Sequence, residues 1–391
     1  MISDDPAIHP RSQRVAADAV VRRHAPPGVA TVESARCRRL PVLVAVLAVS
    51  LLVPATAGAG TRADGNAFPG LQKRLISESR AHLAFTRAFL VDAAAYDRLA
   101  AANGYDYARL WKQKPGAVRK LLTRLKREWV VGNPLYERME GIVAGVPSLR
   151  KYDVDIDAGT SFREDPASAV SFSLKLSDGR TVRQPGAYYN ITEAALWGED
   201  RAHVVSRVKP DLDGDGKVGE FGEVLPDARF LVAAARSWEH AGESLLADAT
   251  AYRPTTADAF TALVVMVPTM NEYFGQWKES RFVTGGSSNG TVFNVVSRLS
   301  DVHDILGSLT IVYADLKPRI AKVDADQAAQ TGQELKGLSA FIERLYRREQ
   351  AGSRFTKQQA ELLGKEAQER ATKVAGQVSQ AAALLDIKVE E

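Results

Sequence analysis

Tyr188-Tyr189-Asn190-Ile191-Thr192-Glu193-Ala194-Ala195-Leu196-Trp197-Gly198-Glu199-Asp200 follows a Pro185-Gly186 break and reads as the opening turns of a helix. Asn190 and Glu193 are three residues apart, which sets them on one helical face about 5–6 Å apart at Cβ. Leu196 and Trp197 continue that side in apolar residues, so the polar pair is expected to face the inside of a bundle. A polar pair placed there needs hydrogen bonds or a bound ion.

Helical patterning extends to both sides. Leu71, Leu75, Phe85, Phe89, Tyr96 and Leu99 recur at helical spacing and stop by Gly104. A second helix is expected over 116–131, with Val118, Leu121, Leu122, Leu125 and Trp129 inward. Its basic row, Arg119, Lys120, Arg124, Lys126 and Arg127, reads as a solvated face. A third helix over 134–145 carries Glu137 and Glu140. Residues 168–183 alternate with period two around Ser177-Asp178-Gly179 and read as a β-hairpin. Further helices are expected at 226–250, 256–282, 291–315, 327–350 and 356–385. Pro268 should kink the second of these, Lys317-Pro318 should break the chain after the third, and Gly285–Gly290 reads as a linker. The expected fold class is therefore all-α: two antiparallel helical bundles (60–250 and 251–391) with a small hairpin and an EF-hand-like loop.

That loop is Asp211-Leu212-Asp213-Gly214-Asp215-Gly216-Lys217-Val218. Carboxylates at positions 1, 3 and 5, a glycine at 6 and an apolar residue at 8 match the first half of a Ca²⁺ loop. Lys217 occupies position 7, which contributes a backbone carbonyl. Position 12 is Gly222, so the closing carboxylate has to come from Glu220 or Glu223. The alternative is an acidic, glycine-rich turn with no ion.

The chain has 391 residues, 45% hydrophobic and 25% charged, with a formal net charge of +4. This composition is globular and can bury a large core. Arg36, Arg38 and Arg39 precede an apolar run from Pro41 to Pro54 and small-x-small sites at Ala55–Ala59. Residues 1–59 are therefore expected to be a leader with a secretory signal, and the run is too short to span a bilayer. Cys37, the single cysteine, would leave with it. The remainder is close to neutral, which gives no support to nucleic-acid binding. The product is expected to be periplasmic or extracellular, without a stable membrane span.

The 188–200 stretch resembles the signature of the imelysin-like family of bacterial envelope proteins, Gly-x-His-x-x-Glu followed by a Leu-Trp-Gly-x-Asp-like run. Aligned on Leu196–Asp200, the family glutamate falls on Glu193, the histidine on Asn190 and the glycine on Tyr188. Tyr136-Glu137-Arg138-Met139-Glu140 and Asp153–Ala158 resemble the family's Tyr-Glu-Arg-Ile-Glu and Ile-Asp-Ala-Arg segments, with Gly159 where the arginine would stand. Trp277-Lys278-Glu279-Ser280-Arg281 resembles a recurrent Trp-Lys-x-Ser-Arg element.

The resemblance implies two helical bundles, an envelope location, and a role in iron uptake or as a metallopeptidase. It places Glu140, Asp157 and Glu193, with Asn190 as a fourth donor, around a cleft between the bundles. A catalytic zinc usually has histidine among three protein ligands. An amide oxygen in its place shifts preference toward harder ions. The expected function is thus non-enzymatic binding of a metal ion, iron or another divalent metal at the centre and Ca²⁺ at the loop. The alternatives are a divergent metallopeptidase, or an envelope module binding a polysaccharide or a protein through Tyr188, Tyr189, Trp277 and Arg281. A purely structural pairing of Asn190 with Glu193 is a further alternative. His240-Ala241-Gly242-Glu243 repeats the His-x-x-Glu spacing without the flanking motif and is expected on an exposed helix face.

Overall fold

The computed structural model describes residues 67–205, 207–286 and 293–390. The leader, Cys37 and most of the Gly285–Gly290 linker lie outside these residues. The first long helix, α1 (Pro69–Ala101), begins with proline at its first turn, where no N–H is needed. It buries Leu71, Leu75, Phe85, Phe89 and Tyr96 along one stripe. A short α2 (Tyr107–Gln113), capped by Asp106, leads into α3 (Pro115–Val143).

The two helices expected over 116–131 and 134–145 are one. Pro134 sits inside α3 and removes a single N–H from the ladder next to the exposed Val130 and Val131. Packing on both flanks carries the helix through it: α3 rests on α1 and, further along, on α10 (Arg298–Ile320).

After α4 (Arg150–Asp153) the chain makes one π-turn, Val154–Ala158, that presents Asp157 inward. Such turns recur at functional sites. The hairpin forms as β1 (Ser173–Lys175) and β2 (Thr181–Arg183), antiparallel with Leu174 opposite Val182. Next come α5 (Tyr188–Trp197), the acidic loop, and α6 (Ala228–Ala251), which packs on α1.

The C-terminal helices follow closely the predicted order. A capping box of Thr255 and Asp258 starts α7 (Thr256–Met266), and Pro268 converts the next turn to 3₁₀ before α8 (Met270–Glu279). The four-residue α9 (Arg281–Thr284) precedes α10, which begins at Arg298 rather than near 291 and runs two residues past Pro318. Asp324 caps α11 (Ala325–Gln350), and a Thr356–Gln359 capping box starts α12 (Lys357–Leu384). The described residues fall within one compact unit.

Close approach of α3 and α10 positions the site. A Cβ at Gly141 would meet Ser308 Oγ at 2.6 Å and Leu309 Cγ at 2.9 Å. Only glycine allows that spacing, and it brings Glu137 and Glu140 toward the start of α10.

Candidate metal centre

Three carboxylates converge where α3, the π-turn and α10 meet. Glu137, Glu140 and Asp157 offer oxygens within 4.8 Å of one another, and each residue is at most 2% exposed. Glu137 Oε1 accepts from Asn133 Nδ2 at 3.0 Å, and Glu140 Oε1 accepts from the Tyr273 hydroxyl at 2.5 Å. Glu137 Oε2, Glu140 Oε2 and Asp157 Oδ1 are buried without a hydrogen-bond partner. Acceptors facing one another in a dry interior repel unless a proton or a cation lies between them.

The cationic side chain that reaches this group is Arg298, the first residue of α10, and it is itself 4% exposed. Its Nη1 donates to Asp301 Oδ2 at 2.8 Å, its Nε donates to Gln276 Oε1 at 2.7 Å, and Nη2 stands 3.7 Å from Asp157 Oδ2. The guanidinium is sandwiched over Phe293 and Tyr273, 3.5 and 4.8 Å from the ring centroids. Asp153, buried beside the group, accepts from Tyr136 Oη at 2.8 Å.

One guanidinium cannot neutralise all these acids, and their titration follows. Burial, with the charges of Asp301 and Glu140 added, holds Glu137 well above the usual carboxylate range. Burial also raises Glu140, Asp153 and Asp157, and it pushes Asp301 up to about 7 against the pull of Arg298. Burial thus favours the neutral form at each of these carboxyls.

Of the residues expected from sequence, Glu140 and Asp157 meet here. Glu193 lies outside the group. Its Oε1 accepts backbone N–H groups of Asn294 (2.8 Å) and Val295 (3.1 Å), and Oε2 accepts that of Phe293 (3.0 Å). Three of a carboxylate's roughly four acceptor positions are thereby filled, which makes Glu193 a cap for the segment leading into α10. Burial still raises its pKa to about 7, opposed by those three N–H groups. Asn190 donates through Nδ2 to the backbone carbonyl of Asp157 at 3.1 Å, and its buried Oδ1 has no partner. Asn190 therefore braces the π-turn from the side of a cavity of about 330 Å³, which Glu164, Glu199, Asp200 and His203 also line.

Glu199 also lines a second cavity, of about 640 Å³. It accepts from Asn294 Nδ2 at 2.6 Å, and burial together with the charge of Glu193 pushes it up to about 9. Sequence reasoning placed Glu199 in the motif without a role, and it gave none to Asp153, Tyr273 or Arg298. Asp301 had no role there either.

Other expectations change. Tyr188, Tyr189 and Trp277 are 2%, 1% and 0% exposed, so they are core and cannot form an external platform. Arg281 lines the larger cavity, stacked on Phe221. His303 pairs with Asp304 and Glu343, away from the carboxylate group, and its hydrogen bond with Asp304 raises its pKa. His240 sits on an exposed face of α6, its side chain 80% accessible.

The fold and the site define a helical-bundle protein with an acid-rich interior and no histidine in the carboxylate group. A family profile described as imelysin (peptidase M75) matches residues 176–385, and the chain belongs to that family. The match contains the 188–200 stretch and Trp277–Arg281, while Tyr136–Glu140 and Asp153–Ala158 lie before it. No curated protein matches the chain.

Proposed function

We propose that this imelysin-family chain is an exported, non-enzymatic protein of the cell envelope that binds a hard metal ion between Glu137, Glu140 and Asp157. One observation carries the reading: three buried carboxylates lie within 4.8 Å, each with an oxygen lacking a partner. The donor set is all oxygen, which suits ferric iron or calcium better than zinc. Glu137 and Glu140 come from one rigid helix, three residues apart, and Asp157 is set opposite them by the π-turn. Tyr273 and Asn133 orient two of the three carboxylates, and Arg298 balances part of their charge.

Peptidase chemistry is disfavoured because a catalytic zinc site would want an imidazole, and Asn190 supplies an amide braced on backbone instead. Export rests on the leader pattern at 36–59 and on family membership. Among the described residues no helix is long and apolar enough to cross a membrane.

Elemental analysis of the natively purified chain tests the reading. The wild-type protein is expected to carry about one equivalent of iron or calcium, which Glu137→Gln/Glu140→Gln loses while remaining folded. Equal metal content in the two chains would overturn the assignment.

A further inference from the structure

We infer that the 211–223 loop is a separate Ca²⁺ site, whose ligands are the carboxylates of Asp211, Asp213 and Glu223. It does not depend on the central carboxylates. Oxygens of these three residues lie within 4.8 Å of one another. The loop is already wound as a cation loop. Asp211 Oδ1 and Oδ2 accept from Gly214 N (2.6 Å) and Gly216 N (3.3 Å), and Asp213 Oδ1 accepts from Asp215 N (3.0 Å).

Glu223 supplies the independent observation. It is 6% exposed, and its Oε1 accepts from Leu212 N at 2.7 Å, whereas its buried Oε2 has no partner. A glutamate at position 13 is one residue late for an EF-hand. A turn closed by Glu223 N donating to Glu220 O at 3.0 Å takes up the extra residue and brings the carboxylate in.

Asp215 and Glu220 are placed differently from expectation. The Lys217 ammonium lies 2.9 Å from Asp215 Oδ2 and 3.4 Å from Glu220 Oε1, which draws both outward. Lys217 itself belongs to the site only through its backbone carbonyl, the position-7 ligand of such loops.

Two members of the basic row on α3, Arg119 and Lys126, hold the loop, while Lys120 and Arg127 face water as expected. Arg119 Nη2 donates to Asp211 O at 2.8 Å, and the Lys126 ammonium donates to Gly222 O. Burial lowers Lys126 to about 8, against the opposing charges of Glu223 and Asp213. Arg119 and Lys126 thus set two cationic side chains beside the three carboxylates. Backbone and water oxygens complete the six to eight ligands that Ca²⁺ takes. Gly222 N donates to Trp197 O at 3.1 Å, and Glu220, Phe221 and Glu223 form one wall of the larger cavity. Calcium would fix that wall against the end of α5.

Calcium titration of the EGTA-treated full chain, followed by calorimetry and thermal denaturation, tests the site. One equivalent is expected to bind at the loop, in Glu137→Gln/Glu140→Gln as in the wild-type chain, with a dissociation constant of about 10⁻⁴–10⁻³ M, the range of extracellular calcium modules. The melting temperature should rise by about 2 °C or more at saturation. Glu223→Gln and Asp213→Asn, each shown to fold by circular dichroism, should bind at least about tenfold more weakly, and the isotherm should persist in Glu137→Gln/Glu140→Gln. Tryptic cleavage at Lys217, whose side chain is 66% accessible, should slow with Ca²⁺ in the wild-type chain. No isotherm up to 10 mM Ca²⁺, wild-type affinity in Glu223→Gln, or an unchanged cleavage rate would each overturn the proposal.

Discussion

Glu193 and Asn294 lie 101 residues apart, and the backbone N–H of Asn294 donates to Glu193 Oε1 at 2.8 Å. Phe293 and Val295 donate to the same carboxylate, so the motif helix clamps the chain just before α10. Glu193→Ala would strand three N–H groups, one buried and two part-buried, and should lower stability by about 3 kcal/mol. Glu193→Gln keeps one acceptor oxygen and should lose less. Urea denaturation of the two variants checks the order, and a larger loss in Glu193→Gln would remove the clamp.

Acid stability of the metal-stripped chain follows from the buried carboxyls. Burial raises Glu193 and Asp301 to about 7, above their ordinary values of 4.5 and 3.8. A raised folded-state pKa gives stability that is fully present below the unfolded value and is lost as pH rises through the folded one. The melting temperature in EDTA should therefore fall between about pH 4 and pH 8 through these groups. Glu193 lies outside the carboxylate group, so a hard cation bound among Glu137, Glu140 and Asp157 should leave its share of that fall in place. Melting curves across this range, with and without metal, decide the point.

Arg298 is held by Asp301, Asp157 and Gln276 inside the core. Arg298→Met removes the counter-charge and leaves the acids uncompensated, which should destabilise by about 3–5 kcal/mol at pH 8. At pH 5, Asp301 is protonated and the loss should shrink. Equal losses at both pH values would show that packing, not charge, accounts for the effect.

Gly198 ends α5 at φ 81°, and a Cβ there would meet Val224 Cγ1 at 2.5 Å. Gly198→Ala combines a left-handed backbone with a steric clash and should lower stability by about 2 kcal/mol. His240→Ala, on the exposed face of α6, should stay within about 0.5 kcal/mol of wild type and keep its metal content. Thermal denaturation of both variants provides the comparison.

Apolar periodicity made the long helices legible: α1, α6, α11 and α12 fall within a few residues of their expected bounds because each has one clear buried stripe. Pro268 was read correctly: it turns Val267–Thr269 into a 3₁₀ turn with non-helical angles of its own, φ −83° and ψ 16°. Pro134 was misread because α1 and α10 pack around it, and no local pattern shows that support. Glu140 and Asp157 could be placed through motif resemblance. Arg298 and Asp301 could not, for they join the group only through the close packing of α3 and α10 at Gly141. The docking roles of Arg119 and Lys126 were equally hidden, because a helix face looks solvated until the loop that covers it is known.

Depth has a kinetic meaning for the central carboxylates. Glu137, Glu140 and Asp157 expose at most 2% of their surface, and Asn190, on the wall of a neighbouring cavity, holds the π-turn through the Asp157 carbonyl. Cargo lodged among them could not escape by dilution alone. Its residence time would be set by how often the helices part, so washing would leave it in place while acid, by delivering competing protons, would drive it out.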